Sequence, residues 1–122
     1  MDRAHFRRLV REAVAQLPEE LLSRVHNVDI VIESRPTARD RKLAGIGPRQ
    51  LLLGLYHGIP LTQRGENYNL VAPDKISIYQ DEIEQLCETD DEIREQVRIT
   101  VLHEIGHYFG IDDDRLHELG MG

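Results

Sequence analysis

The run His103-Glu104-Ile105-Gly106-His107-Tyr108-Phe109-Gly110-Ile111-Asp112-Asp113 holds the residues of this chain whose types and spacing suit chemistry. As a pattern it reads H-E-x-x-H-x-x-G-x-x-D. On a helix, His103 and His107 leave the same face one turn apart. Two neutral imidazole nitrogens at that spacing can reach a single Zn²⁺ at about 2.0–2.1 Å each. Glu104 then stands beside the ion rather than on it, where its carboxylate can take a proton from a water at the metal. Gly110 can end the helix in a left-handed conformation, after which the chain turns back and Asp113 can offer an oxygen as third ligand. Two nitrogens, one oxygen and an open fourth position describe a catalytic zinc site rather than a structural one. His117, four residues after Asp113 on the same face of a possible helix, is the rival third ligand, with a surface or supporting role as its plainer reading. Asp112 or Asp114 can instead hydrogen-bond a ligand histidine.

These residues point to metal-assisted hydrolysis: the metal stabilises the developing oxyanion while Glu104 carries the proton to the leaving amine. Tyr56 and Tyr108 could add to oxyanion stabilisation, although packing is the default role of both. His5, His26 and His57 lack ligand spacing and read as ordinary surface residues. A peptide or protein substrate would lie extended along an exposed sheet edge, with Leu51–Tyr56 and Lys75–Tyr79 as the candidate strands.

The helix that must position the motif runs from about Asp91 to Phe109. Asp90 or Asp91 can cap it, and acidic side chains in its first turn suit the helix dipole. Val97, Val101, Leu102, Ile105, Tyr108 and Phe109 form an apolar stripe; Thr100, His103, Glu104 and His107 project from another face. Upstream, Asp2–Leu17 reads as an amphipathic helix with Phe6, Leu9, Val10, Ala13, Val14 and Leu17 on one side. Pro18 starts a short helix through about Val25, and the β-branched run Val28–Ile32 is a strand. Ser34–Gln50, rich in charge, glycine and proline, reads as an exposed loop. Strands over Leu51–Tyr56 and Lys75–Tyr79 flank a second long loop, Gly58–Pro73. A short helix over Asp81–Cys87 and a last one from Asp112 or Asp113 through Leu119 complete an α+β layout.

With 122 residues the chain is expected to form one domain spanning 1–122. Hydrophobic residues make up 40% and charged residues 30%, as in soluble globular proteins. The net charge of −7 argues against nucleic acid and an anionic membrane surface as partners. Arg3, Arg7, Arg8 and Arg11 cluster, and a solvated face of the first helix accounts for them. Cys87 is alone, which suits a reducing compartment. With no secretory leader and no apolar span visible, a cytoplasmic setting is the expectation.

Few strands, a motif helix behind them and a glycine turn into the third ligand resemble the zincin fold. The motif resembles that of metzincin-type metallopeptidases, whose third ligand is usually histidine and sometimes aspartate. It is closer still to a family of small bacterial zincin-like proteins. Their shared segments are similar to Leu53-Gly54-Leu55-Tyr56-His57-Gly58-Ile59-Pro60-Leu61-Thr62-Gln63-Arg64 and to His103–Gly110 followed by Leu116-His117-Glu118-Leu119-Gly120. The resemblance covers about the last two thirds of the chain. It implies a minimal zincin-like domain, a small three-stranded mixed sheet packed against helices including the motif helix, with a zinc-dependent peptidase activity. Metzincins place a methionine in a tight turn beneath the metal, well beyond the third ligand; Met121 is only eight residues past Asp113, and a frayed terminus is its plainer reading. The larger enzymes also carry a second subdomain as the far wall of the cleft, and with little chain after the motif a shallow, open site is the expectation here. The alternative of another class is a non-catalytic binding or regulatory module that keeps the scaffold, with or without the metal; Glu104 argues against it, since metal binding alone needs no general base.

Overall fold

A computed structural model describes residues 1–25, 27–59, 74–111 and 113–118, the last stretch with side chains at 114, 115 and 118. The expectations for His26, for most of the second long loop, for Asp112, for the side chains of Asp113 and His117, and for Leu119 and Met121 lie outside the described residues.

The first helix, α1 (Arg3–Ala15), is capped by Asp2, whose carboxylate accepts from the His5 backbone N–H at 2.7 Å. Phe6, Leu9, Val10 and Ala13 recur at helical spacing and are buried. Pro18, at φ −56°, turns the chain into the single turn of α2 (Glu19–Leu22). The sheet has the order β1-β3-β2, with β1 (Val28–Glu33) parallel to β3 (Asp74–Tyr79) and β2 (Gly54–His57) antiparallel to it. The mixed three-stranded sheet expected from the sequence is therefore present.

β3 is central, and its residues are buried apart from the half-buried Lys75. On one face Ile76 and Ile78 meet α1 and the long helix α5 (Asp90–Tyr108), which brings Ile93, Val97, Val101 and Ile105 to the same core. On the other face Tyr79 sends its hydroxyl to Asp40 of a helix absent from the sequence-based layout, α3 (Ala38–Ala44). The segment Ser34–Gln50 is thus not one exposed loop. Thr37 and Asp40 form a reciprocal capping box: the Thr37 side chain accepts from the Asp40 N–H at 3.0 Å, and Asp40 accepts from the Thr37 N–H at 3.1 Å. Gly45, at φ 72°, closes the helix. Arg41 fastens it further, donating to Glu82 at 2.7 Å and to the Gln50 carbonyl.

Other boundaries also move. The strand expected over Leu51–Tyr56 is Gly54–His57, and the helix expected over Asp81–Cys87 is α4 (Gln80–Glu84). Thr89, not Asp90 or Asp91, caps α5, its hydroxyl accepting from the Glu92 N–H at 3.1 Å. The last helix, α6, covers Asp113–Glu118. In the arginine cluster, Arg7, Arg8 and Arg11 are exposed, but Arg3 donates to the Ile32 carbonyl and to Ser34 Oγ, tying α1 to the end of β1. No helix among the described residues is long and apolar enough to cross a membrane.

Candidate metal centre

The motif helix ends as its glycine foretells. Gly110 takes φ 85°, its N–H donates to the His107 carbonyl at 2.9 Å, and the Ile111 N–H donates to that of Gly106 at 3.0 Å. This paired closure satisfies carbonyls that the last turn would leave open, and it sets the direction in which the chain leaves the histidines.

His103 and His107 stand one turn apart with ring centroids 4.7 Å apart, nearly perpendicular at 79°. Both are half-buried. Glu104 does not project into solvent: it is 5% exposed and turned against β2. Its Oε1 accepts from the Tyr56 backbone N–H at 2.8 Å and lies 3.1 Å from His107 Nδ1, while Oε2 is 3.9 Å from His103 Nε2. One donor atom from each of His103, Glu104 and His107 falls within 4.8 Å of the others. The imidazole nitrogens of His103 and His107 are donors that Zn²⁺ takes, with the Glu104 carboxylate beside them, so the residues present fit the metal.

Close packing puts the strand there. A Cβ built on Gly54 would lie 2.6 Å from Thr100 Cγ2 and 3.0 Å from the Ser77 carbonyl oxygen, so only glycine lets β2 sit this tightly on α5. Thr100 is accordingly buried rather than projecting, and it donates to the Gln96 carbonyl within its own helix. Tyr56 stacks edge-on against Tyr108 at 6.0 Å and its hydroxyl donates to Asp74 at 2.6 Å, so both tyrosines pack as their default role requires.

The site is a cleft of about 380 Å³ between α5 and β2 on one side and Leu43, Ala44 and Ile46 on the other; a second hollow of about 270 Å³, lined by Gln96, Ile99 and Thr100, shares His103 and Glu104 with it. Leu43 and Ala44 of α3, with Ile46 just past it, give this cleft a wall that the sequence-based layout lacks. Signals for that wall existed: Thr37 and Asp40 are a capping box with Asp in place of Glu, and Gly45 is a stop. His57, read as a surface residue, is half-buried; burial and the charge of Lys75 push its imidazole below the ordinary histidine range.

Comparison with known proteins bears on both fold and family. A conserved hypothetical protein from Thermo thermophilus has a similar structure, with a TM-score of 0.52 and 22% identity over 94% of each chain; the likeness is one of fold. No curated protein is similar enough in sequence to match. The sequence pattern of the zincin-like metallopeptidases matches residues 25–122, a span that contains both the cleft and the helix bearing His103, Glu104 and His107, and the chain belongs to that family.

Proposed function

We propose that this protein is a zinc-dependent peptidase of the metzincin-like H-E-x-x-H-x-x-G-x-x-D kind. In this reading His103, His107 and Asp113 hold the metal and Glu104 is the general base. The observation that carries it is the convergence of His103, Glu104 and His107 within 4.8 Å in a half-buried cleft. When bound, zinc supplies Lewis acidity that polarises a carbonyl and makes a water acidic near roughly pH 7. Glu104 does the proton work of the chain itself. Oε1 is pinned by the Tyr56 N–H, which leaves Oε2 to accept a proton and to return it to the leaving amine.

β2 suits the substrate better than β3. β3 is paired on both sides, whereas β2 is an edge strand against the site. The Tyr56 N–H points away from β3 toward Glu104, and residues two apart in a strand point the same way. The outward groups of Gly54 and the Tyr56 carbonyl are therefore placed to pair with an extended peptide.

Two measurements test the assignment. Glu104→Gln keeps shape and removes basicity: zinc stoichiometry should hold near one at this site while peptide cleavage falls by about 10²–10⁴-fold. Asp113→Ala should weaken zinc binding, read against a competing chelator, more than His117→Ala does. Equal cleavage by wild type and Glu104→Gln would refute the base assignment. A zinc-loaded wild type inert across a broad peptide library would instead leave a binding module on this scaffold.

A further inference from the structure

A second set of potential ligands sits on the opposite face of the sheet. Glu33, at the end of β1, stands beside Tyr79 of β3, and His57, at the end of β2, stands opposite Lys75. Tyr79 and Lys75 alternate with Ile76 and Ile78, so Glu33 and His57 share the face that α3 covers. Asp40 of α3 completes the group. One ligand atom from each of Glu33, Asp40 and His57 lies within 4.8 Å of the other two.

The three are not equally provided for. Asp40 accepts from the Thr37 N–H and the Tyr79 hydroxyl. Glu33 Oε2 and His57 Nε2, by contrast, are shut away from solvent with no hydrogen-bond partner. Buried polar atoms are rarely left so, and these two belong to residues whose ligand atoms gather within 4.8 Å, which asks for something between them. Charge selects what that is. Two carboxylates carry two negative charges, and neither Glu33 nor Asp40 has an ion pair with lysine or arginine among the described residues. Burial and the charge of Lys75 push the imidazole below its ordinary range, against the pull of Asp40, Glu33 and Glu104, which favours a ring that offers a lone pair. A water would answer the hydrogen bonds but leave the charge; a divalent cation answers both.

We propose that Glu33, Asp40 and His57 hold a divalent cation of the Zn²⁺ or Mn²⁺ type, at a site separate from the His103–His107 pair. The imidazole disfavours Mg²⁺ and Ca²⁺, which prefer all-oxygen sets. The three ligands come from β1, α3 and β2. An ion there would clamp α3, and with it the Leu43–Ile46 wall of the cleft, to both edge strands of the sheet.

The experiment removes the first site and looks for the second. A full-length His103→Ala/His107→Ala variant, dialysed against ZnCl₂ or MnCl₂ in turn, should retain about one ion per chain and melt several degrees higher with the ion than with chelator. Adding Glu33→Gln, nearly isosteric, or His57→Ala should abolish both effects. In the otherwise wild-type protein, either single substitution should lower the zinc count from about two to about one, a readout that does not depend on how the double variant folds. No retained ion and no shift in melting in the double variant would overturn the proposal and place a water between the orphaned atoms. Retention that survives both Glu33→Gln and His57→Ala would overturn it equally. Neither outcome touches the peptidase reading, whose failure shows in the Glu104→Gln comparison.

Discussion

Asp40 is 8% exposed, yet its carboxyl lies below the ordinary aspartate range. Burial pushes it up, but hydrogen bonds from the Thr37 N–H and the Tyr79 hydroxyl outweigh that effect. Burial and the same contact push the Tyr79 phenol far above its usual value, so it remains a donor at any working pH. A carboxylate with a depressed folded pKa adds stability above its unfolded value, near 3.8, and that stability is lost as the pH falls through the folded value. Tyr79→Phe should therefore destabilise the protein by about 1–3 kcal/mol at pH 7 and move its acid unfolding to higher pH. Denaturant titrations at several pH values with chelator present check both effects. An unchanged acid limb would show that Asp40 draws its stabilisation from elsewhere. The pair also shows where reading the sequence stops. His103, Glu104 and His107 announce themselves by spacing along one helix, whereas Glu33, Asp40 and His57 are joined by a parallel β1–β3 register that no local pattern encodes.

The helix α5 is legible in the sequence because apolar period and chemistry coincide in one unbroken run. Its cap was misplaced by one position: three acidic residues crowd the first turn, but Thr89 has the extended backbone and the hydroxyl that accepts from Glu92. Thr89→Ala should accordingly lose about 1 kcal/mol of stability, more than Asp91→Ala, whose exposed carboxylate pairs with Arg94 at the surface. Gly110→Ala tests the other end. At φ 85° an added Cβ should cost about 1–2 kcal/mol, and because the turn aims the chain after the histidines, zinc affinity should fall with stability. Unaltered affinity would mean that the third ligand does not depend on this turn. α3 carries no helical stripe in the sequence because Leu43 and Ala44 face a cleft instead of a core; Leu43 is 62% exposed.

The whole molecule is built asymmetrically around its sheet. The face bearing Ile76 and Ile78 meets two helices through a continuous apolar core, while α3 on the other face buries only Asp40 and is fastened by charge and hydrogen bonds, Arg41 to Glu82 and Asp40 to Tyr79. Contacts of these two kinds fail differently. Apolar burial resists salt and yields only with the fold, whereas a helix held by a few polar clasps can detach locally and return. The backbone amides of Ala38–Ala44 should thus exchange with deuterium far faster than those of Val97–Ile105, and the gap should widen as salt is raised. Equal protection of the two helices would show that α3 opens only with global unfolding. If it opens alone, one wall of the cleft is hinged while the histidines opposite stay fixed, and the breathing of a small charged helix would set how long an extended chain, once admitted, is kept there.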